Sequence, residues 1–387
     1  TAASKKSEAE QARDDYYGGV REMDVAQRMA EEAESPQMQR IRAQQTDLLH
    51  MDLRMELAPA DGRLTATATL RIATRAEAPG TTGSIGMQLV PSLKVVSVTR
   101  EGTEVEYEAK DGYLFVGLGD RPLAPGTPES FVITCAGRNP ETMVGEITSA
   151  STHLINQAYL PLLDYGDNFT GEYWITVPEG YYVATQGERV DETTDTQGRI
   201  TWHSRQTVPV WNHALVAAPY VVTTSEYRSR ATTGTVTGSE EAQGKERVIP
   251  LTVCLFPDTT PTLASRYLDE LPRILAFFEE HLGPYPYSKL TVAQVQSFPG
   301  GLGSPGVILI GPSGFTEGDA PAQFLAHEVA HAWFGNLLTL DLSSGSIPWL
   351  SEGFAQYWDA LYHEHREGPG ALARLMRGRA ESYYEAL

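Results

Sequence analysis

The chain has 387 residues, with 50 acidic against 30 basic side chains and a formal net charge of −20. That excess disfavours polyanionic partners, both nucleic acid and anionic membrane surfaces, and attracts cations, amines and metal ions. The length allows two domains with separate cores, no apolar run nears the roughly 20 residues of a bilayer span, and two cysteines exclude a disulfide scaffold or a cysteine-based zinc cluster.

Residues 1–46 read as a polar, helical N-terminal extension. Ser4–Arg13 and Val25–Glu34 are rich in helix formers, and Ser35-Pro36 punctuates them. The chain opens on Thr1 without a basic and apolar leader, so the expectation is a processed, excised or incompletely recorded polypeptide. Residues 47–247 change to short alternating runs such as Leu64–Ile72, Lys94–Thr99 and Glu172–Val177. Turn pairs such as Asp61-Gly62, Asp111-Gly112 and Gln197-Gly198 separate them. This spacing predicts a β-rich domain. Cys135 and Cys254 lie in strand-like apolar runs and are expected to be buried thiols. The small polar stretch 231–247 suits a hairpin tip or boundary loop. Residues 248–387 form the second expected domain. It has strands at Val248–Phe256 and Lys289–Val295, an amphipathic helix at Thr262–Leu282 between them, and a mainly helical end. The fold class is therefore α+β.

The chemistry concentrates at His327-Glu328-Val329-Ala330-His331. Histidines at i and i+4 share one helical face, so both imidazoles reach one ion. The glutamate between them is rotated beside the ion, where a general base for water belongs. Asp319 and Pro321 are start signals for this helix, and Gly335-Asn336 are stop signals. A catalytic zinc needs a third protein ligand and one open position. The residue six beyond the second histidine is Leu337, which excludes a third histidine there. Glu352, in Trp349-Leu-Ser-Glu-Gly-Phe-Ala355, heads a helical stretch, the place where gluzincin zinc peptidases, which this pattern resembles, carry a glutamate ligand. His327, His331 and Glu352 are thus assigned to one zinc, and Glu328 to the base that assists attack of a zinc-bound water on a peptide carbonyl. His363 and His365 are expected to be solvated surface residues.

At these residues the sequence resembles the aminopeptidase N family of zinc peptidases. Trp333-Phe-Gly-Asn-Leu-Leu-Thr339 and Trp349–Ala355 carry the resemblance most densely. Leu160-Pro161 with Asp164, Val177-Pro-Glu-Gly180 with Gly187, and Tyr285-Pro-Tyr-Ser-Lys-Leu290 extend it over roughly 200 residues. The resemblance implies an N-terminal saddle-like β domain followed by a thermolysin-like catalytic domain, incomplete at its C-terminus.

Four departures from the family's pattern stand out. Twenty residues, Ala332 to Ser351, separate the second histidine from the glutamate ligand, two more than is usual in the family, with Ser343–Pro348 as the expected insertion. The family's amine-anchoring glutamate and the asparagine after it are replaced by Gly303 and Ser304 in Gly300-Gly-Leu-Gly-Ser304. The second amine anchor falls on Thr152. The oxyanion tyrosine is expected beyond Leu387, since Tyr383 and Tyr384 come too early and read as helix residues. Gly301, Gly303 and Ser304 are the candidate substrate-binding residues, as a strand edge able to seat an extended peptide.

The leading reading is a zinc peptidase. An endopeptidase or blocked-peptide hydrolase on the same fold, and a non-catalytic scaffold that retains zinc, are the alternatives. A peptide or protein is the expected partner, and an extracytoplasmic location is favoured over a cytoplasmic one. From Leu290 to His365 the chain has no lysine or arginine but seven acids, among them Glu328, Glu352 and Asp359. The negative charge is thus concentrated around the metal motif and favours a cationic peptide.

Overall fold

The computed structural model describes residues 35–75, 83–139, 145–164, 167–229, 247–297, 300–315, 321–339 and 348–386. The expected extension up to residue 34 lies outside them, as do Asp319 and residues 231–246 and 343–347. The last part of the extension is helical. Ser35 caps helix α1 (Pro36–Ala43) by accepting the Met38 N–H at 3.2 Å, and Pro36 occupies the first turn. Met38 and Ile41 are buried. Arg42 donates to Asp164 at 2.8 Å, which docks the helix on the β domain.

That domain is built on an eight-stranded sheet. Its strand order is Glu188–Thr194, Ile200–Val210, Phe169–Val177, Thr46–Ala58, Arg63–Thr74, Glu129–Arg138, Leu93–Arg100 and Thr103–Glu104. All neighbours are antiparallel except Thr46–Ala58 beside Phe169–Val177. The Asp61-Gly62 turn closes the long hairpin from Thr46 to Thr74, with Gly62 in the left-handed region at φ 61°. Along Phe169–Val177 every second residue is buried, as half-buried sheet periodicity requires. The inward residues, with a small three-stranded sheet of Ser84–Gln88, Tyr113–Gly117 and Tyr107–Lys110, enclose the first core.

A four-stranded antiparallel sheet, Tyr182–Thr185, Ala214–Ala218, Thr152–Ile155 and Gly145–Ile147, joins the two halves of the molecule. One face (Leu154, Val183, Leu215, Ala217) belongs to the first core. The other (Ile155, Ala184, Ala214, Val216) packs on Cys254, Ala293, Val295, Val307 and Leu309 of the second domain. Both cysteines are buried and unpaired, and burial pushes their thiols up to about 11 for Cys135 and about 12 for Cys254.

The second sheet runs Val221–Ser229, Arg247–Leu255, Leu290–Gln294, Val307–Ile310 and Gly301–Ser304. The expected division after residue 247 falls at the first residue of the strand Arg247–Leu255, which is hydrogen-bonded along its length to Val221–Ser229 of the same sheet. Helix α2 (Thr262–Leu282) crosses between the parallel strands Arg247–Leu255 and Leu290–Gln294 and buries Leu271, Ile274, Leu275 and Phe278. Helices α3 (Pro321–Ala330), α4 (Phe354–Glu367) and α5 (Ala371–Ala386) follow. Tyr383 and Tyr384 fall within α5. The architecture is α+β.

Candidate metal centre

His327 and Glu328 lie in the last turn of α3, and His331 in the turn just after it. The helix ends at Ala330, short of the expected stop at Gly335. The next two turns tighten, with Ala332 N–H bonding Val329 O and Trp333 N–H bonding Ala330 O, so His331 still stands one turn beyond His327. Leu325, Ala326, Val329 and Ala330 bury the opposite side of the helix in the second core. Glu352 sits in a wider, π-type turn, Pro348–Gly353, that leads directly into α4.

These segments bring three donor atoms together. His327 Nε2 lies 3.3 Å from His331 Nε2 and 3.3 Å from Glu352 Oε2, and His331 Nε2 lies 3.6 Å from Glu352 Oε2. Tetrahedral zinc with bonds of about 2.0–2.1 Å places neighbouring ligand atoms about 3.3–3.4 Å apart. The donor set of two imidazoles and one carboxylate, and the size of this triangle, fit that ion. Glu352 Oε2 is buried with no hydrogen-bond partner, as a ligand atom reserved for a cation would be. His331 Nδ1–H donates to Phe334 O at 3.1 Å, which leaves Nε2 as the lone-pair nitrogen facing the triangle. Ser351 Oγ lies 3.2 Å from the same Nδ1.

The electrostatics match. Burial alone would lower the His327 imidazolium, but Asp359 and Glu352 outweigh it and hold it well above its ordinary range. Burial likewise opposes the Glu352 carboxylate, which His331 and His327 hold well below its usual range. Both shifts come from the close contact of imidazole and carboxylate across the triangle, a contact that a cation held there would replace. Glu328 is 2 % exposed, and burial pushes its carboxyl up, with Glu352 adding to the rise. Its Oε1 has no hydrogen-bond partner.

The strand Gly301–Ser304 lies at the sheet edge against α3. A Cβ on Gly301 would collide with the Glu328 carboxylate, and one on Gly303 with the Glu328 carbonyl and the His331 Cβ. Both glycines are therefore there to let the strand approach the metal helix. Ser304 is 4 % exposed, and Thr152 is buried in its own strand. His363 stands apart from the triangle, beside Glu367 at 3.4 Å, and His365 is exposed against the Phe277 ring.

Several residues make contacts at the site that the sequence reading did not assign. Asp359 faces His327, and Arg379 holds Asp359. Asn336 donates to Gly303 O at 2.7 Å and to His331 O at 2.9 Å. Trp211 of the β domain donates to Gly335 O at 2.7 Å. For Asp359 a signal existed: seven residues beyond Glu352 is two helical turns, on the same face. The others depend on contacts between distant segments.

Residues 266–384 match the peptidase family M1 domain. Human aminopeptidase O is 35% identical over 113 residues, covering 28% of this chain and 13% of that protein. Rabbit aminopeptidase N is 34% identical over 114 residues, covering 27% and 12%. The match thus spans about an eighth of either relative. Among solved structures, the M1 zinc metallopeptidase from Deinococcus radiodurans aligns over 84% of this chain and 72% of that one, at a TM-score of 0.67 and 22% identity. Aminopeptidase A from Legionella pneumophila aligns over 83% and 38%, at 0.69 and 17%. At these identities the structures speak for the fold alone, an N-terminal β domain followed by a mixed α/β domain. Among the described residues, no helix is long and apolar enough to cross a membrane.

Proposed function

We propose that this chain is a zinc-dependent peptidase, with one zinc held by His327, His331 and Glu352. The observation that carries the reading is the triangle of donor atoms, with edges of 3.3, 3.3 and 3.6 Å, beside a buried and unpartnered carboxylate oxygen of Glu328. Bound there, zinc would polarise the scissile carbonyl and lower the pKa of water towards about 7. Glu328 takes the proton of the attacking water and returns it to the leaving amine. Burial raises its pKa, which makes this carboxylate a stronger proton acceptor than an exposed one. The strand Gly301–Ser304 orients an extended peptide along its edge.

A second reading concerns the substrate's amino end. Gly303 has no room for a side chain against α3, which supports cleavage of internal or blocked peptides over anchoring of a free α-amine from that position. Matched free-amine and N-acetylated peptides decide between the two. Equal cleavage supports the second reading, and cleavage of the free-amine peptide alone removes it.

The main reading is tested by metal analysis and by Glu328→Gln. The wild type should carry about one zinc per chain, and the variant should keep it while hydrolysis falls by about 10²–10⁴-fold. Unchanged hydrolysis would remove Glu328 as the base, and folded protein that takes up no zinc would remove the metal assignment.

A further inference from the structure

Outside the three ligands, one charged pair is aimed at the metal centre from a different helix. Asp359 of α4 has 3% of its side chain exposed, and its Oδ2 faces His327 Nδ1 at 3.5 Å. From the other side Arg379 of α5 donates through Nη2 to both carboxylate oxygens, at 2.9 and 3.0 Å. Its Nη1 donates to Gln356 O at 3.3 Å, which ties the guanidinium to α4 as well. The contacts form a row from Arg379 through Asp359 to His327, ending at the Nε2 that lies 3.3 Å from Glu352 Oε2.

We propose that Arg379 is a positioning residue for the metal centre, acting through Asp359 to fix the ring of His327 and so to set how tightly zinc is held. The inference rests on the zinc reading above. An imidazole offers a lone pair at Nε2 only when its proton sits on Nδ1, and an acceptor facing Nδ1 selects that tautomer. A carboxylate is such an acceptor, but a buried one needs a cationic partner to stay charged and in one orientation. Arg379 supplies both, since its Nη2 bonds both carboxylate oxygens while its Nη1 is tied to Gln356 O. A simple staple between α5 and α4 would stabilise the fold equally well, yet leave zinc affinity unchanged.

The test measures zinc affinity by competition with a chelator of known strength, alongside thermal melting of the metal-free protein. Arg379→Ala should weaken zinc binding about tenfold, in the range seen when outer partners of a ligating histidine are removed. Arg379→Lys should recover part of that loss. Adding Arg379→Ala to Asp359→Asn should cost little beyond Asp359→Asn alone, because the arginine acts through the carboxylate. If Arg379→Ala does not fold, Arg379→Gln carries the same comparison. Zinc affinity within about twofold of wild type in the folded arginine variants, whatever their melting temperature, overturns the proposal. A wild type that takes up no zinc overturns the metal assignment itself, a result distinct from the first.

Discussion

Asn336 shows how much of the site rests on single side chains. Its amide nitrogen bonds two carbonyls, that of Gly303 in the edge strand and that of His331 just after α3. Its amide oxygen lies 3.3 Å from the Asn212 amide nitrogen, so the β domain sets which way the group points. The residue is 3 % exposed, and water does not replace these bonds. Asn336→Ala should therefore destabilise the protein by about 1–3 kcal/mol, the cost of stranding buried acceptors. Urea denaturation with and without zinc measures it. A loss below about 0.5 kcal/mol would mean that the carbonyls find other partners. Asn336→Asp should be worse still, because it sets a carboxylate against two carbonyl oxygens.

At the scale of elements, the edge strand Gly301–Ser304 and helix α3 act as one piece. Gly303→Ala forces a methyl group into the Glu328 carbonyl and the His331 side chain. The strand then has to lift off the helix, at a cost of about 1–3 kcal/mol for overpacking. Zinc affinity should fall with stability, because His331 is one of the groups displaced. An alanine variant that melts and binds zinc like wild type would show that the strand relaxes freely. The elements also show where the sequence was legible. His327 and Glu328 stand on the helix the motif predicts, His331 follows one turn further on, and Glu352 heads the next helical stretch, because these are local patterns. The stop at Ala330 was missed because Gly335 is a stop signal in its own right. Its φ of 101° turns the chain after the tightened segment and not at the helix end. The pairing of Val221–Ser229 with Arg247–Leu255 was left open, because the polar stretch between them reads equally well as a domain boundary or a hairpin tip. Gly303 read as a lost carboxylate, and only the packing of the strand on α3 shows why no side chain stands there. The contacts of Arg379 and Asn336 were illegible because they are set by tertiary packing and not by local pattern.

At the scale of the whole molecule, the two cores meet through the small four-stranded sheet, and His213 stands just before its strand Ala214–Ala218. The ring is buried, stacked on Phe169 at 4.4 Å, with Nδ1 3.0 Å from the Tyr173 hydroxyl and Nε2 3.1 Å from Val210 O. A carbonyl can only accept, so Nε2 carries the proton and Nδ1 accepts from Tyr173. Phe169 and Tyr173 belong to the first core and Val210 to the second, so this neutral ring bridges both. Burial lowers its pKa from 6.5 to about 4. The sign follows from linkage: the unfolded chain takes up a proton first, so stability is present above about 6.5 and is lost as the pH falls towards 4. The loss amounts to about 3 kcal/mol at most. Asp167 works in the opposite direction. Burial, with Asp47 and Asp164 nearby, raises its carboxyl from 3.8 to about 8, so its contribution is complete at low pH and is lost as the pH rises through 8. The two trends offset each other over the pH range they share, and a stability profile of the wild type alone would hide both. The difference between wild type and His213→Gln isolates one of them. Glutamine does not titrate, so the stability advantage of the wild type should shrink by about 3 kcal/mol between pH 7 and pH 4 when both are unfolded in urea. An advantage that stays constant over that range would mean that His213 is protonated within the folded protein, and that the joint between the two cores admits a charge.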